Sequence, residues 1–471
     1  MASSINFMGT YSGITMETIE QLLQAEATRV TSYTNEQTVL EAEKSAWKDV
    51  QTRLTNLSGK MAALIKPEIF EAKQVKLSQE GKFTFSAGPK AISGGYSIEI
   101  ERLATRTQVT GNKLQLDEKR TWQTEGTLVF PGQNEDGEPE SIEITIEAGD
   151  SLEKIINKIN EHTKASGVSA VAIDDRIVLQ NTAYGNHSID VEGTLADELG
   201  FTDSANVKAG QSALLTVNGI DIERDNNQIT DVMGGVTLDL KAVTTEPIKV
   251  EVTDDLAVTE KAVQEFVDQY NSTMSFIGGL LDVGDPSQED NKTGALTGDS
   301  SLMRLQTQLR SLLTNAVNNG NKDMNTVESI GISVDRDGVA SLDTEKLQKA
   351  LKEDSDKVYD LFQFTTTKSI VNEAGETVEI EEKIGIAQSF ETLINSFTDS
   401  KDGIIATKNE TYDKLISDVK DRIVKFNDRL AVKREQYIAK FTALDIAMME
   451  AESQLSYMMS QFNNNSGSNN G

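Results

Sequence analysis

The chain has 471 residues, with 45 Lys and Arg, 75 Asp and Glu, two His and no Cys, and its formal net charge is -30. The lack of Cys excludes disulfides, zinc knuckles, iron–sulfur ligation and thiol chemistry, and two separated His leave little material for a metal site. So large a negative charge repels phosphate backbones and anionic lipid, and no basic patch offsets it. We therefore expect no cofactor and no nucleic acid, and another protein as the partner.

The charge is distributed unevenly along the chain. Residues 1–66 and 405–471 are nearly neutral, whereas residues 67–404 carry almost all of the excess acid. We expect the neutral ends to pack into an assembly and the acidic middle to stay in solvent.

No apolar run approaches the roughly 20 residues that a bilayer crossing needs, so membrane insertion is not expected. The first basic residue is Arg29, and no apolar segment typical of a secretory signal precedes it. If the protein leaves the cell, we expect export without a cleaved signal peptide.

Both ends of the chain have helical composition. Residues 14–66 contain no Pro and only Gly59, and residues 405–462 contain neither Pro nor Gly. Apolar residues recur at spacings of three and four, so each helix presents one apolar seam to a partner helix. Beyond Leu430 the seam passes through Lys433 in an eleven-residue step, which relaxes left-handed supercoiling. The predicted stalk seam consists of Trp47, Val50, Leu54, Leu57, Met61, Leu64, Tyr412, Ile416, Val419, Ile423, Phe426 and Leu430.

Residues 68–256 alternate Val, Ile and Thr with polar residues, as half-buried strands do. One helix interrupts them, and we expect Asp150 and Glu153 to form its capping box. Helices return over 257–281, 300–319, 344–363 and 386–398, with hairpins predicted at 330–342 and around 373–376.

This order of elements predicts a multidomain α plus β fold. Its terminal helices pair as a coiled-coil stalk, its mid-body is helical, and a β-rich two-part head is inserted between them. The expected parts are an N-terminal helical stalk (1–42 with 430–471) that is disordered in the monomer, a helical bundle body with small hairpins (43–68 with 257–429), an inner β-rich domain (69–110 with 205–256) and an outer β-rich domain with one helix (111–204).

Residues 335–343 supply oxygen ligands two apart, which suggests a calcium loop. An EF-hand loop has Gly at its sixth position, whereas Gly338 is fourth from Asp335. Asp-Gly is also a favoured hairpin dipeptide, so the sequence favours a turn over a cation site.

No catalytic constellation is visible. His162 follows a helix, His187 lies in a turn rich in Gly and Asn, and neither has the neighbours of a triad. Phosphate-binding loops and zinc-protease motifs are also absent from the sequence. We predict no catalytic, cofactor-binding or metal site, although a strongly shifted carboxylate pair in the head would revive an enzymatic hypothesis.

The end of the C-terminal helix is rich in Met and aromatic residues. A continuing seam explains this pattern, but a partner site does so as well, because little sequence remains to cover the helix. The residues of this C-terminal patch are Leu455, Tyr457, Met458, Met459 and Phe462.

Several motifs in order along the chain are those of a known family. They lie at 13–19 with Leu22 and Leu23, at 98–104, at 215–222 with 227–232 and 235–238, and at 330–338 with Leu342 and 358–362. With them the chain resembles the FliD family of bacterial hook-associated proteins, the flagellar filament caps. The third group is similar to a repeat that flagellins and hook-associated proteins share, and residues 110–205 match only in general pattern.

The resemblance implies a structural cap at the distal tip of the filament. Such a cap is an oligomeric ring that promotes folding and insertion of exported flagellin and prevents its leakage. The implied partners are further copies of the chain, flagellin, hook–filament junction proteins and a flagellar export chaperone, which would engage the C-terminal patch. The implied location is extracellular, reached through flagellar type III export. The alternative is a surface adhesin whose β-rich head binds host or mucin.

Overall fold

The computed structural model describes residues 9–134, 136–288, 291–371 and 376–466, the last five of these by their backbone alone. Among them, no helix combines the length and apolarity that a membrane crossing requires. The helices are α1 (Met16–Leu64), α2 (Pro67–Phe70), α3 (Leu152–Glu161), α4 (Thr163–Ser166), α5 (Leu256–Leu281), α6 (Ser300–Thr314), α7 (Thr344–Phe362), α8 (Ile386–Thr398) and α9 (Ile404–Ser466).

All paired strands in the described residues are antiparallel, in six sheets. The orders are β1-β14-β3-β10-β11, β12-β13-β2, β7-β8-β4-β9, β5-β6, β15-β16 and β17-β18. The strands are β1 (Lys73–Leu77), β2 (Phe83–Ala87), β3 (Gly94–Arg102), β4 (Gln108–Thr110), β5 (Gly126–Gln133), β6 (Pro139–Ile146), β7 (Val168–Ile173), β8 (Arg176–Asn181), β9 (Val207–Lys208), β10 (Ala213–Val217), β11 (Ile220–Arg224), β12 (Gln228–Ile229), β13 (Val236–Leu240), β14 (Ile248–Asp254), β15 (Ile332–Val334), β16 (Ala340–Leu342), β17 (Phe364–Val371) and β18 (Thr377–Ile384).

The chain forms two compact units. The helical unit comprises the residues up to Ile65 and from Glu260 onward, and the β-rich unit comprises Lys66–Thr259. In the helical unit, α8 packs against α1, and Lys60 of α1 pairs with Glu265 of α5 at 2.7 Å. Phe266 and Phe390 meet edge to face in the core of this unit, with ring centroids 5.6 Å apart, a preferred aromatic geometry.

The β-rich unit contains two hydrophobic cores. One lies among β2, β3, β10, β13 and β14, where alternate residues such as Ile248 and Val250 point inward. The other lies among β4 to β8 and α3, and fully buries Phe130 and Leu179. Strand alternation explains both, because successive side chains point to opposite faces of a sheet.

The ends of the β-rich unit are hydrogen-bonded neighbours. β1 pairs with β14, from Lys73 opposite Asp254. The Asp255 N–H donates to the Ala72 carbonyl at 2.8 Å. The Thr259 hydroxyl donates to the Ile69 carbonyl at 2.6 Å. The chain therefore enters and leaves this unit side by side.

The predicted fold class is confirmed: long terminal helices flank, in sequence, a β-rich middle. The predicted hairpin at 330–342 is also confirmed, because β15 and β16 pair there. The hairpin predicted around 373–376 lies mostly outside the described residues, which omit 372–375, and β17 and β18 pair on either side of that gap.

Two local predictions were wrong. The helix predicted to 319 ends at Thr314, because Asn315 turns to extended backbone with ψ 148°. The cap of α3 is Ser151, whose hydroxyl accepts the Lys154 N–H at 3.2 Å, and not Asp150. The helix predicted over 344–363 is confirmed as α7, which has a kink at Asp354 (φ -166°, ψ 95°). The Asp354 carboxylate accepts the Lys357 N–H and so caps the turns that follow.

Candidate assembly interface on the terminal helices

α1 and α9 lie antiparallel, and the predicted seam residues are on their inward faces. Trp47, Val50, Leu54, Leu57, Met61 and Leu64 are each at most 3% exposed. On α9, Tyr412, Ile416 and Val419 are buried, whereas Ile423, Phe426 and Leu430 are half-buried. Burial therefore decreases along α9 toward its C-terminal end.

The structure does not bring the two predicted stretches together along their whole length. Lys44 pairs with Asp413, and Lys408 lies beside the Trp47 ring, so the first turns of α9 run along this part of α1. Beyond this part α1 lies against α5 and α8: Arg53 donates to the Ser272 hydroxyl at 2.8 Å. The seam of α1 therefore has two kinds of neighbour, the helices of the bundle and α9.

Ion pairs fix the register between α1 and α9. In these pairs α1 supplies mainly carboxylates and α9 mainly basic side chains. The pairs are Glu20 with Arg434 at 2.7 Å, Glu36 with Arg422 at 3.6 Å, Glu41 with Lys420 at 3.9 Å, Glu26 with Lys433, and Lys44 with Asp413. Such partly exposed pairs add little stability each, but polar partners at seam positions select one register.

Aromatic contacts occupy the middle of the pair. Tyr33 of α1 meets Phe426 of α9 edge to face, with centroids 6.4 Å apart. The Arg422 guanidinium lies 5.7 Å from the Tyr33 ring centroid, and that of Arg429 lies 5.9 Å from the Phe426 centroid. Arginine stems therefore cover part of an apolar seam that no third helix covers in the described residues.

A polar cluster joins α6 to the base of the pair. Asp299 caps α6 and receives the Lys408 ammonium at 2.6 Å, and that ammonium lies 5.5 Å from the Trp47 ring centroid. Burial raises the pKa of Glu43. Burial and the nearby Glu43 and Asp299 carboxylates raise the pKa of Tyr412 to about 12. With Lys408 already paired to Asp299, the cluster holds helices together and offers no free acid–base pair.

At the other end of the pair, Asp445 binds the N-terminal segment. This α9 side chain is 4% exposed. Its carboxylate accepts the backbone N–H groups of Gly9 and Ser12, the latter at 2.6 Å. Sequence reasoning missed Asp445, because its donors are backbone groups more than 400 positions away.

Every residue from Ile446 to Gln461 is exposed, and the first described residue of the N-terminal segment, Gly9, lies at the level of Asp445. The C-terminal patch lies on this stretch: Leu455, Tyr457, Met458 and Met459 are 56%, 65%, 56% and 62% exposed. The side chain of Phe462 lies outside the described residues. The end of α9 therefore presents a bare apolar helix within the part of the chain that is described.

The other sequence motifs have structural explanations. Asp335 accepts the N–H groups of Asp337 and Val339 at 2.9 and 2.8 Å, and Gly338 adopts φ 86°, so the segment is a hairpin turn. His162 ends α3, and His187 lies in an exposed turn. No group of three acidic or His residues in the described ranges could hold a metal ion.

The fold defines an α plus β protein whose terminal helices pair and flank a β-rich insert. Family models match most of the chain: "Flagellar hook-associated protein 2 N-terminus" at residues 12–107, "Flagellin hook IN motif" at 127–183 and "Flagellar hook-associated protein 2 C-terminus" at 210–453. The match to the flagellin hook IN motif thus lies at 127–183. The segment at 215–238, which resembles a flagellin repeat in sequence, falls within the match to the C-terminal family model.

Relatives match over nearly their whole length. Flagellar hook-associated protein 2 of Escherichia coli O157:H7 is 31% identical, over 99% of this chain and 100% of that protein. That of Salmonella typhimurium LT2 is 28% identical, over 98% of each. The crystal structure of the D1-D2-D3 domains of the flagellar cap protein FliD from Escherichia coli superposes with a TM-score of 0.60 at 28% identity, over 78% of this chain and 99% of that one. The chain belongs to the flagellar hook-associated protein 2 family, the FliD family.

Proposed function

We propose that this chain is a structural, non-enzymatic cap at the distal tip of the bacterial flagellar filament. A ring of copies would promote the folding and insertion of exported flagellin and prevent its leakage. The observation that carries the proposal is the end-to-end match to hook-associated protein 2, together with the 28% identical structure of a flagellar cap protein. The bare end of α9 supports it, because an apolar helix with no cover suits a chain that completes its packing in an assembly.

Deleting the gene in the source bacterium tests the proposal. We expect filaments that fail to grow and flagellin shed into the medium, both reversed by the intact chain. Normal filaments in the deletion strain would refute the cap. If such a strain lost only adhesion to mucin, the protein would be a surface adhesin.

We further propose that the terminal helices become ordered on assembly. The supporting observation is that seam residues such as Ile423, Phe426 and Leu430 are only half-buried against a single partner helix. Isolated helix pairs of this kind are marginal in water. Residues 1–40 and 430–471 should be cut rapidly by protease in the monomer and slowly in the ring, and resistance in a verified monomer would contradict this.

The C-terminal patch is our proposed site for a flagellar export chaperone, since Met and aromatic side chains adapt to several surfaces. Deleting residues 450–471 should abolish a complex with the cognate chaperone on size-exclusion chromatography. An unchanged elution volume of the complex would remove the assignment.

The β-rich unit is proposed to consist of an inner domain (69–110 with 205–256) and an outer domain (111–204). The two separate hydrophobic cores support this division. Residues 111–204 expressed alone should then unfold cooperatively; a chain without a melting transition would contradict the boundary.

Ring stability should respond to salt. Because the middle of the chain is acidic, moderate salt should stabilise the ring by shortening repulsion between copies to about 8 to 10 Å. Analytical ultracentrifugation at increasing salt measures this. Rings that dissociate between low and physiological salt would indicate attractive ion pairs between subunits instead.

A further inference from the structure

Asp445 is enclosed by the opposite end of its own chain. Its Oδ1 accepts the Ser12 N–H at 2.6 Å, and its Oδ2 accepts the Gly9 N–H. Hydrogen bonds from Ser12, together with the backbone N–H groups of Gly9 and Tyr11, lower the pKa of this carboxyl. No Lys or Arg in the described ranges pairs with it, so the Ser12 side chain and backbone N–H groups, and not a cation, compensate a nearly buried charge.

The loop at residues 9–13 is shaped for this contact. The Gly13 N–H closes it onto the Gly9 carbonyl at 3.2 Å. Gly9 has φ 88°, and a Cβ there would lie 3.1 Å from the Ile14 carbonyl oxygen. Gly13 also has a positive φ, 70°, but a Cβ there would meet open space. At Gly9 both the positive φ and the nearby Ile14 carbonyl oxygen disfavour a side chain, whereas at Gly13 only the positive φ does.

The contact lies where helix pairing ends. On one side, α1 starts at Met16, and Ile19 in its first turns is fully buried. On the other side, the exposed stretch of α9 starts at Ile446, immediately after Asp445. The carboxylate thus marks the boundary between the covered and the bare parts of α9.

We propose that Asp445 is a positioning residue that closes the terminal helix pair. Its carboxylate orders the loop at 9–13 and the first turns of α1, so order at the N-terminus is conditional on α9 being helical through residue 445. A partner that captures α9 and unwinds it at this level releases the N-terminal loop as well. The two chain ends therefore order and disorder together. This inference is independent of the capping role.

Hydrogen exchange of the full chain at pH 7, followed by mass spectrometry, tests the proposal. In Asp445→Asn, the amide presents an NH₂ group where two acceptor oxygens are needed. Peptides covering 9–20 should exchange about tenfold faster or more, the loss expected for hydrogen bonds to a charged group. Peptides covering 46–64 should not change.

Matched variants separate the contact from a general effect. Asp428→Asn alters an exposed carboxylate on the same helix and should leave 9–20 unchanged. Gly9→Ala should reproduce the Asp445→Asn effect from the other side, and Gly13→Ala should have a smaller one. The double variant of Gly9→Ala and Asp445→Asn should exchange no faster than the more affected single variant, because both remove one interaction.

The measurement is made on dilute monomer and again at high concentration. Protection of 9–20 in either state that Asp445→Asn removes supports the proposal. Equal exchange in the wild type and the variant in both states overturns it, and so does equal acceleration of 46–64, which would indicate general destabilisation. Filament growth is not a readout, so failure of this proposal and failure of the capping role remain distinct.

Discussion

Among the described residues, the β-rich unit and the terminal helix pair each contain one buried carboxylate, and its hydrogen-bond partners differ between the two regions. Asp150 is 3% exposed and receives the ammonium groups of Lys154 and Lys158, both at 2.7 Å. Both lysines lie on α3, directly after Asp150 in the chain. Asp445 is 4% exposed and receives backbone N–H groups from the far end of the chain. The first region closes its cores with local residues, whereas the second depends on both chain ends being in place and leaves apolar surface uncovered.

The largest expected effect on stability is in the β-rich unit. Phe130→Ala removes a fully buried ring from the core that also contains Trp122, and should lower the free energy of unfolding by about 3 to 5 kcal/mol. The chain has two Trp, one in each unit, so Trp122 fluorescence in a Trp47→Phe background reports this core in a urea titration.

The matched change in the helix pair is Phe426→Ala. Its ring is half-buried, so the loss should be about 1 kcal/mol, because much of its apolar area is already in water. Trp47 fluorescence in a Trp122→Phe background follows this unit. Equal losses for Phe130→Ala and Phe426→Ala would end the contrast between the two regions.

The next effect concerns Asp150. Burial alone would raise its pKa, but hydrogen bonds from Lys154, Lys158 and the Glu147 N–H lower it to about 2. The unfolded carboxyl titrates near 3.9, so the ionised form contributes about 2 kcal/mol at neutral pH. Because the folded pKa is depressed, this contribution is complete above pH ~4 and disappears as pH falls through about 2.

Asp150→Asn should therefore lower the stability reported by Trp122 at pH 7 and flatten its decline between pH ~4 and ~2. Titrations at several pH values in that interval measure both effects. Asp136→Asn, an exposed carboxylate in the same unit, is the control. A decline as steep as that of the wild type would show that other groups cause acid unfolding.

A smaller effect on stability is expected for an ion pair between α1 and α9. Glu20→Arg and Arg434→Glu each break a pair that is about half exposed, so each should cost under about 1 kcal/mol. In the assembled ring, where the N-terminal segment should be cut slowly by subtilisin, the double reversal should restore that slow cleavage. The control is Lys425→Glu, at an exposed residue with no ion pair in the described part of the chain. If the double reversal did not restore slow cleavage, the pair of Glu20 with Arg434 would not set the register.

The smallest effect on stability is expected at the bare end of α9. Leu455→Gln with Met459→Gln should change the free energy of unfolding by less than about 0.5 kcal/mol, because both side chains are mostly exposed. The same change should weaken self-association in sedimentation experiments. A loss above 1 kcal/mol in the monomer would show that this segment packs within a single chain.

The spacing of apolar residues and the composition were sufficient to predict the α plus β fold class, because heptads and strand alternation are local patterns. They did not give the register of α1 on α9, which depends on distant pairs such as Glu26 with Lys433. They misassigned Asp150 as a cap because its lysine partners were not considered, although Lys154 and Lys158 lie four and eight positions away. Asp445 carries no local signal, since its donors lie more than 400 positions away in the chain.

The neighbouring ends of the β-rich unit have an evolutionary consequence. Two strands that enter and leave side by side, bridged from Ala72 to Asp255 and from Ile69 to Thr259, make the insert equivalent to one long turn between helices. Exchanging such a cassette for a larger or smaller one adds little loop-closure entropy, since that cost grows only logarithmically with length. Descendants of this chain can therefore diversify the insert under one selective pressure while the helices stay constrained by another.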